Sequence, residues 1–117
     1  MNWGLRFMFE RYGKPIYVTE NGMAAKDWVS PDGGVHDPQR IDCMTLHLRE
    51  MAAASAGGVD LRGYFHWSLM DNFEWAEGYK HRFGLVHVDH ASGTRTPKDS
   101  AAWYRRLIES RGAGLLA

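Results

Sequence analysis

The chain is short of cysteine, of net charge and of long apolar runs, and each shortage excludes something. Cys43 is the single cysteine, so no internal disulfide can form and a reducing compartment is the default expectation. Fourteen Lys and Arg residues cancel fourteen Asp and Glu residues, which leaves no basic surplus for nucleic acid. No apolar run approaches the roughly 20 residues that a membrane helix needs. The opening residues lack the charged-then-apolar pattern of a secretory signal, so a cytoplasmic location is expected. No glycine-rich phosphate loop occurs, because Gly33-Gly34 lacks both a preceding strand and a following Lys-Ser/Thr. The histidines include no i,i+4 pair around a Glu, and His87, Asp89 and His90 make only a weak metal set. Neither a metal nor a cofactor is expected. Cys43 itself reads as a small core residue of a helix.

What is present is an ordinary apolar fraction of 44% in 117 residues, enough for one small domain at most. Leu5, Met8, Phe9 and Tyr12 recur at helical spacing and predict a helix over residues 2–12, stopped by Gly13 and Pro15. Ile16-Tyr17-Val18-Thr19 predicts a short strand buried on both faces, as in a parallel sheet. It runs into Glu20-Asn21-Gly22, a turn signal. Residues 23–37 read as loop. Asp37-Pro38 reads as N-cap and N1 of a second helix whose face carries Ile41, Met44, Leu48 and Met51. Gly57-Gly58 ends it, and a second strand follows at Arg62 to Trp67. Leu85 to Asp89 reads as a short extra strand, with Ser92-Gly93 as a turn. A third helix is expected to open at Pro97 to Ser100 and run through Arg111, with a frayed tail at 112–117. Strands alternating with helices imply parallel strands whose C-terminal ends form the ligand edge.

The densest chemistry lies in GYFHWSLMDNFEWAEGYKHRFG, residues 63–84. Aromatic residues alternate there with Asp71, Asn72, Glu74 and Glu77. Carboxylates in an apolar run need partners. A sugar pocket suits both features, because ring faces stack on Trp and hydroxyls need fixed polar groups. Glu20, at the tip of a buried strand, reads either as a solvated turn residue or as a nucleophile or base. Glu74 reads either as an ion-pair partner of Arg82 or Lys80 or as a group that hydrogen-bonds ligand hydroxyls. Trp67 and Trp75 read either as core or as a stacking platform with an indole N–H donor.

YVTENG at 17–22, the long run at 63–89 and RTPKDSAAWYRRLI at 95–108 resemble the glycoside hydrolase family 1 signatures, the β-glucosidase family. The resemblance implies an α/β fold of the (β/α)8 TIM-barrel kind. Residues 1–111 would be the C-terminal part of a single catalytic domain that holds the last two barrel strands with flanking helices. Ile16 to Glu20 would be strand seven and Gly63 to Trp67 strand eight. It implies a retaining hydrolysis of terminal β-linked sugars through a covalent glycosyl-enzyme. Glu20 matches the nucleophile, Trp67 the platform under the sugar, Glu74 a bidentate sugar-binding carboxylate, Trp75 an indole donor and Phe83 an aromatic wall. It also implies a non-proline cis bond at Trp67–Ser68.

The family's acid/base lies in a Thr-x-Asn-Glu-Pro motif, and no such string occurs in this chain. The isolated chain is therefore expected to be inactive. Its partners would be a β-glucoside or related saccharide and the missing N-terminal part of the barrel. Two other readings stand beside the enzyme: a module that holds sugar without cleaving it, and a complementation fragment.

Overall fold

The computed structural model describes residues 1–115. Helix α1 spans Asn2–Tyr12, strand β1 Ile16–Asn21, helix α2 Pro38–Ala56 and strand β2 Leu61–His66. A hairpin of β3, Val86–Val88, and β4, Arg95–Pro97, precedes helix α3, Asp99–Glu109. Gly13 closes α1 in the left-handed conformation at φ 57°, its N–H donating to the Phe9 carbonyl at 2.8 Å. That geometry favours a residue without Cβ.

Strands β1 and β2 pair in parallel, with α2 as the crossover between them. Leu5, Met51, Ala54 and Val59 form the buried core, joined by Phe9, Ile16, Val18, Leu48, Leu61 and Tyr64. Helices α1 and α2 thus cover one face of the sheet. The other face is open, which corrects the expectation of a strand buried on both sides. Tyr17, Thr19 and Glu20 are exposed on it, because no second layer lies opposite among the described residues. The result is a slab of 47 × 35 × 18 Å. Its radius of gyration is 15.8 Å, against about 13 Å for a compact chain of this length.

Helix α3 begins later than Pro97, since Arg95–Pro97 pair antiparallel with Val86–Val88. The turn at Ser92-Gly93 joins them, with Gly93 at φ 74°. The helix also ends at Glu109 rather than Arg111. The tail is docked rather than frayed as far as it is described. Ala113–Leu115 make a 3-10 turn, Leu115 is buried, and its carbonyl accepts from Arg49 Nε at 2.7 Å. Residues 116 and 117 lie outside the described residues.

Asp37 does precede α2, but its side chain does not cap that helix. It accepts instead from the Ser100 N–H at 2.9 Å and the Ser100 hydroxyl at 2.6 Å. One of the orphan donors of α3's first turn is thereby satisfied from a different helix.

The loop between β1 and α2 is tied to α3 through His36. Its Nδ1 lies 2.7 Å from Asp99 Oδ2 and its Nε2 3.0 Å from Asp32 Oδ2. Asp99 first, then Asp32, raises the imidazole above its ordinary value. A raised histidine stabilises while it is protonated in the fold. This contribution is fully present below about pH 6.5 and fades as pH rises through the raised value. Amide exchange in residues 30–36 should therefore quicken beyond the intrinsic rise as pH climbs from about 6.5 through the raised value. His36→Gln should abolish that extra pH dependence.

Candidate active site

The C-terminal ends of β1 and β2 are zipped together. The Trp67 N–H donates to the Asn21 carbonyl at 2.8 Å, and Asn21 stands in register with His66. Between the pairs Val18/Tyr64 and Asn21/His66, β1 uses one residue more than β2. This is a bulge, and its effect is to re-aim side chains. Val18 packs on the helices, and the Asn21 side-chain oxygen meets His47 Nδ1 of α2 at 3.0 Å and the Tyr64 hydroxyl at 3.1 Å. Val18 and Asn21 thus both face the helices. Thr19 and Glu20 between them fall to the open face, where both are exposed. On β2 the same alternation turns Tyr64 and His66 to the helices and Phe65 and Trp67 to the open face. Glu20 and Trp67 therefore stand at the same end of neighbouring strands and on the same side.

Beyond Trp67 the backbone carries a cis peptide bond to Ser68. The Ser68 N–H donates to the Phe83 carbonyl at 3.1 Å, and the Leu85 N–H returns to the Ser68 carbonyl at 3.0 Å. Phe83 is thus held beside the strand end. Gly22 sits tightly under the same segment, since a Cβ there would lie 1.8 Å from the Trp67 carbonyl oxygen. Gly22→Ala should force the backbone apart, at a cost of about 1–3 kcal/mol. A lowered urea midpoint with an altered near-UV tryptophan signal is the expected readout, and an unchanged midpoint would contradict the close approach.

Glu74 lies on a tight loop. Its N–H donates to the Gly78 carbonyl at 2.7 Å, and its carbonyl accepts from Glu77 at 2.8 Å. Trp75 follows at φ 40°, an uncommon conformation for a bulky residue, and is 83% exposed. Phe73 and Tyr79 meet edge to face at 5.5 Å, and Tyr79 lies 4.3 Å from the His90 ring. Neither ion-pair partner suggested for Glu74 takes it up. Lys80 bonds Glu77 at 2.8 Å, and Arg82 bonds Asp71 at 2.6 Å. Among the described residues the carboxylates of Glu20 and Glu74 have no hydrogen-bond or ion-pair partner. Asp71, Asn72 and Glu77 of the same run have partners inside the protein. Asn72 donates to the Ser68 hydroxyl at 3.0 Å.

Beneath the loop lies a feature the sequence did not announce. Asp27, Asp37, Asp71, Arg40 and Lys98 are buried, with side chains at zero exposure. Lys98 Nζ donates to Asp27 at 2.5 Å and to Asp71 at 2.8 Å. Arg40 donates to Asp27, to Asp37 at 2.8 Å and to the Met23 carbonyl at 2.6 Å. Asp71 also accepts from the Gly84 N–H at 3.0 Å. With Arg82 the cluster holds three anions and three cations. Burial alone would push the Asp71 carboxyl up, but its bonds to Lys98 and Arg82 hold it below the ordinary carboxylate value. The network joins the loop after β1, the loop after β2 and the starts of α2 and α3. The available signal was Arg40, one turn ahead of Met44 on the apolar stripe of α2. A charge on such a stripe needs a buried partner.

Parallel strands with helices behind them, and carboxylates without internal partners on the side of the C-terminal edge, define part of an α/β fold of the β/α kind. The family description "Glycosyl hydrolase family 1" matches residues 1–113, and the chain belongs to that family. It is 50% identical over 111 residues to Beta-glucosidase A of Thermotoga maritima, covering 94% of this chain and 25% of that protein. It is 54% identical over 105 residues to a bifunctional beta-D-glucosidase/beta-D-fucosidase of Bifidobacterium breve, covering 86% and 23%. The solved beta-glucosidase from Thermotoga maritima in complex with deoxynojirimycin superposes with a TM-score of 0.93 at 48% identity, covering 95% of this chain and 26% of that one. The chain thus spans about a quarter of the length of these relatives.

Proposed function

We propose that this chain is the C-terminal part of a (β/α)8 barrel, with β1 and β2 as its last two barrel strands, and that it carries the nucleophile and sugar-binding half of a retaining β-glycosidase acting on terminal β-glucosides. The observation that carries this is the bulge in β1, which sets Glu20 on the open face beside Trp67 at the C-terminal edge. Glu20 attacks the anomeric carbon and forms the glycosyl-enzyme. The acid/base carboxylate, about 5–5.5 Å away in a retaining enzyme, comes from outside this chain. It protonates the leaving alcohol, then deprotonates the water that releases the sugar. Trp67 stacks under the pyranose, Glu74 accepts from two neighbouring hydroxyls, Trp75 donates its indole N–H and Phe83 closes the wall. A free carboxylate at position 74 favours an unphosphorylated sugar, because a phosphate there would be repelled.

The same arrangement bears on the other readings. Trp67 and Trp75 are solvent-facing, and the concavity beside Trp67 is lined by Ser68, Leu69, Met70, Asn72, Val88 and Arg95 rather than by Glu20 or Glu74. A sugar held by this chain alone would lack most of its pocket, which favours the enzyme part over a free-standing binding module. The test is complementation. The chain is mixed with the part of the Thermotoga maritima relative that lies outside the matched quarter, and hydrolysis of an aryl β-glucoside is followed. Activity from the mixture, and from neither component alone, is the expected result. Silence from a mixture shown to associate would remove the enzyme reading. Titrating glucose or gluconolactone against tryptophan fluorescence of the chain alone should give no quench; saturable quenching would revive the binding module.

A further inference from the structure

Glu20 stands where it does because of a register that ladder pairing alone does not choose. Val18 pairs with Tyr64 and Asn21 with His66. Without the bulge, Thr19 would pair with Phe65 and Glu20 with His66. Glu20 would then turn to the helices and Asn21 to the open face, since a one-residue slip moves each side chain to the other side. A bulge leaves a residue unpaired and disrupts the ladder, so something outside the ladder must favour it. The Trp67 N–H bond to the Asn21 carbonyl is a backbone contact that any residue could make. The Asn21 side chain is specific. Its amide oxygen faces α2 and accepts from His47 Nδ1 at 3.0 Å and from the Tyr64 hydroxyl at 3.1 Å. An amide oxygen has two acceptor sites, and both are filled. Burial pushes the Tyr64 phenol well above its ordinary value, so this hydroxyl keeps its proton and remains a donor. In the unbulged register two half-buried donors would lose their acceptor. That loss tilts the balance between the registers by about five- to 150-fold.

We propose that Asn21 is the positioning residue of Glu20: its side chain, held by His47 of α2 and Tyr64 of β2, pins the bulge and thereby fixes the face and place of the neighbouring carboxylate. The catalytic side of this rests on Glu20 as the nucleophile, whereas the control of register does not. Asn21 touches no substrate, because its side chain points to the helices, away from the open face. The charge of Glu20 also disfavours burial against α2. That preference excludes one face without setting where along the other the carboxylate stands. The paired amide sets both, because it ties the next residue to two elements at once. The two influences are separable, since a neutral side chain at position 20 leaves only the anchor.

The experiment reads the face of residue 20 directly. In the full chain, Glu20→Cys with Cys43→Ala leaves a single thiol, at position 20, and removes the charge. Cys43→Ala also removes the 4.0 Å approach of the Cys43 sulfur to His47 Nδ1. The reaction of the thiol with an aromatic disulfide reagent is timed, and labelling should be rapid while Asn21 keeps its donors. His47→Leu with Tyr64→Phe leaves the amide oxygen unpaired on the helix side. Residue 20 should then turn to the helices and labelling should slow about fivefold or more. Asn21→Asp keeps acceptors in the same place and should retain the rapid rate. The slowing is diagnostic, because a mere loss of stability opens the fold and speeds labelling. Far-UV circular dichroism of each variant verifies the fold. An equal or faster rate in the double variant overturns the proposal, as does Asn21→Asp labelling as slowly as the double variant. No sugar enters this measurement, so its failure leaves the glycosidase reading standing. In the complemented barrel, with Glu20 restored, His47→Leu with Tyr64→Phe should lower kcat about 10²-fold, the scale of an ångström's misplacement, with little change in KM. Asn21→Asp should keep most of kcat. An unchanged kcat in the double variant, where Glu20→Ala abolishes activity, overturns the proposal. Activity that survives Glu20→Ala overturns the nucleophile reading instead.

Discussion

Lys98→Met should destabilise the fold by about 3–5 kcal/mol, the usual consequence of removing one partner from a buried ionic cluster. Lys98 is 1% exposed and its ammonium joins Asp27 to Asp71. Methionine has similar length and no charge, so packing is preserved while three anions face two cations. Asp27 retains Arg40, and Asp71 retains Arg82 and the Gly84 N–H. The surplus negative charge then has no route to water. A small domain is stable by only about 5–15 kcal/mol, and a slab with one open face has less to spare. Urea denaturation should give a much lower midpoint. Amide exchange should accelerate first at Gly84 and Val88, whose N–H groups donate to Asp71.

The pH dependence gives a second arm to the same prediction. In the unaltered protein Asp71 is held low, so its stabilisation is complete above about pH 3.9 and is lost as pH falls through the depressed value. In Lys98→Met one of the bonds that oppose burial is gone, so the carboxyl should move up from its depressed value although Arg82 still holds it. Protonation then relieves the surplus charge, so the gap between variant and parent should narrow as pH falls. A variant within about 0.5 kcal/mol of the parent, the usual range for surface positions, would show that the cluster holds nothing together.

That cluster marks where sequence reasoning stopped. Elements set by local chemistry were legible. Helix α1 ends at Gly13 as its spacing implies, β1 and β2 fall where β-branched and aromatic residues cluster, and Pro38 opens α2. The cis bond implied by the family resemblance at Trp67–Ser68 is present. What depends on distant partners was not legible. Asp27 and Lys98 lie 71 positions apart, and each alone looks like an exposed charge. The short strand Arg95–Pro97 exists only because Val86–Val88 lies beside it, and its residues carry no strand signal of their own. Of the carboxylates in the aromatic run, Asp71 and Glu77 proved to have internal partners and Glu74 none among the described residues. For Asp71 that outcome follows from where Lys98 folds, 27 positions away, whereas the Glu77–Lys80 pair is a local i,i+3 contact.

The largest effect on function is expected at Glu20. In the complemented barrel, Glu20→Ala should lower hydrolysis of an aryl β-glucoside by roughly 10⁴-fold or more, the scale seen when a catalytic nucleophile is removed. The truncation leaves space on one face of the sugar while the acid/base opposite is untouched. A small anion such as azide should enter that space and attack an activated substrate directly. One displacement instead of two inverts the anomeric centre, so the product should be the α-glycosyl azide. A β-product, or no rescue with the fold intact, would place the nucleophile elsewhere. Glu74→Ala should behave differently. In the proposed role its carboxylate would take no part in bond making and would accept two charge-assisted hydrogen bonds from sugar hydroxyls, each worth about 1.5–3 kcal/mol. A loss on the order of 10²- to 10⁴-fold in kcat/KM, without azide rescue, is the expected pattern. The contrast separates the two unpartnered carboxylates by chemistry rather than by size of effect: a missing nucleophile can be replaced by an external one, whereas a missing hydrogen-bond acceptor cannot.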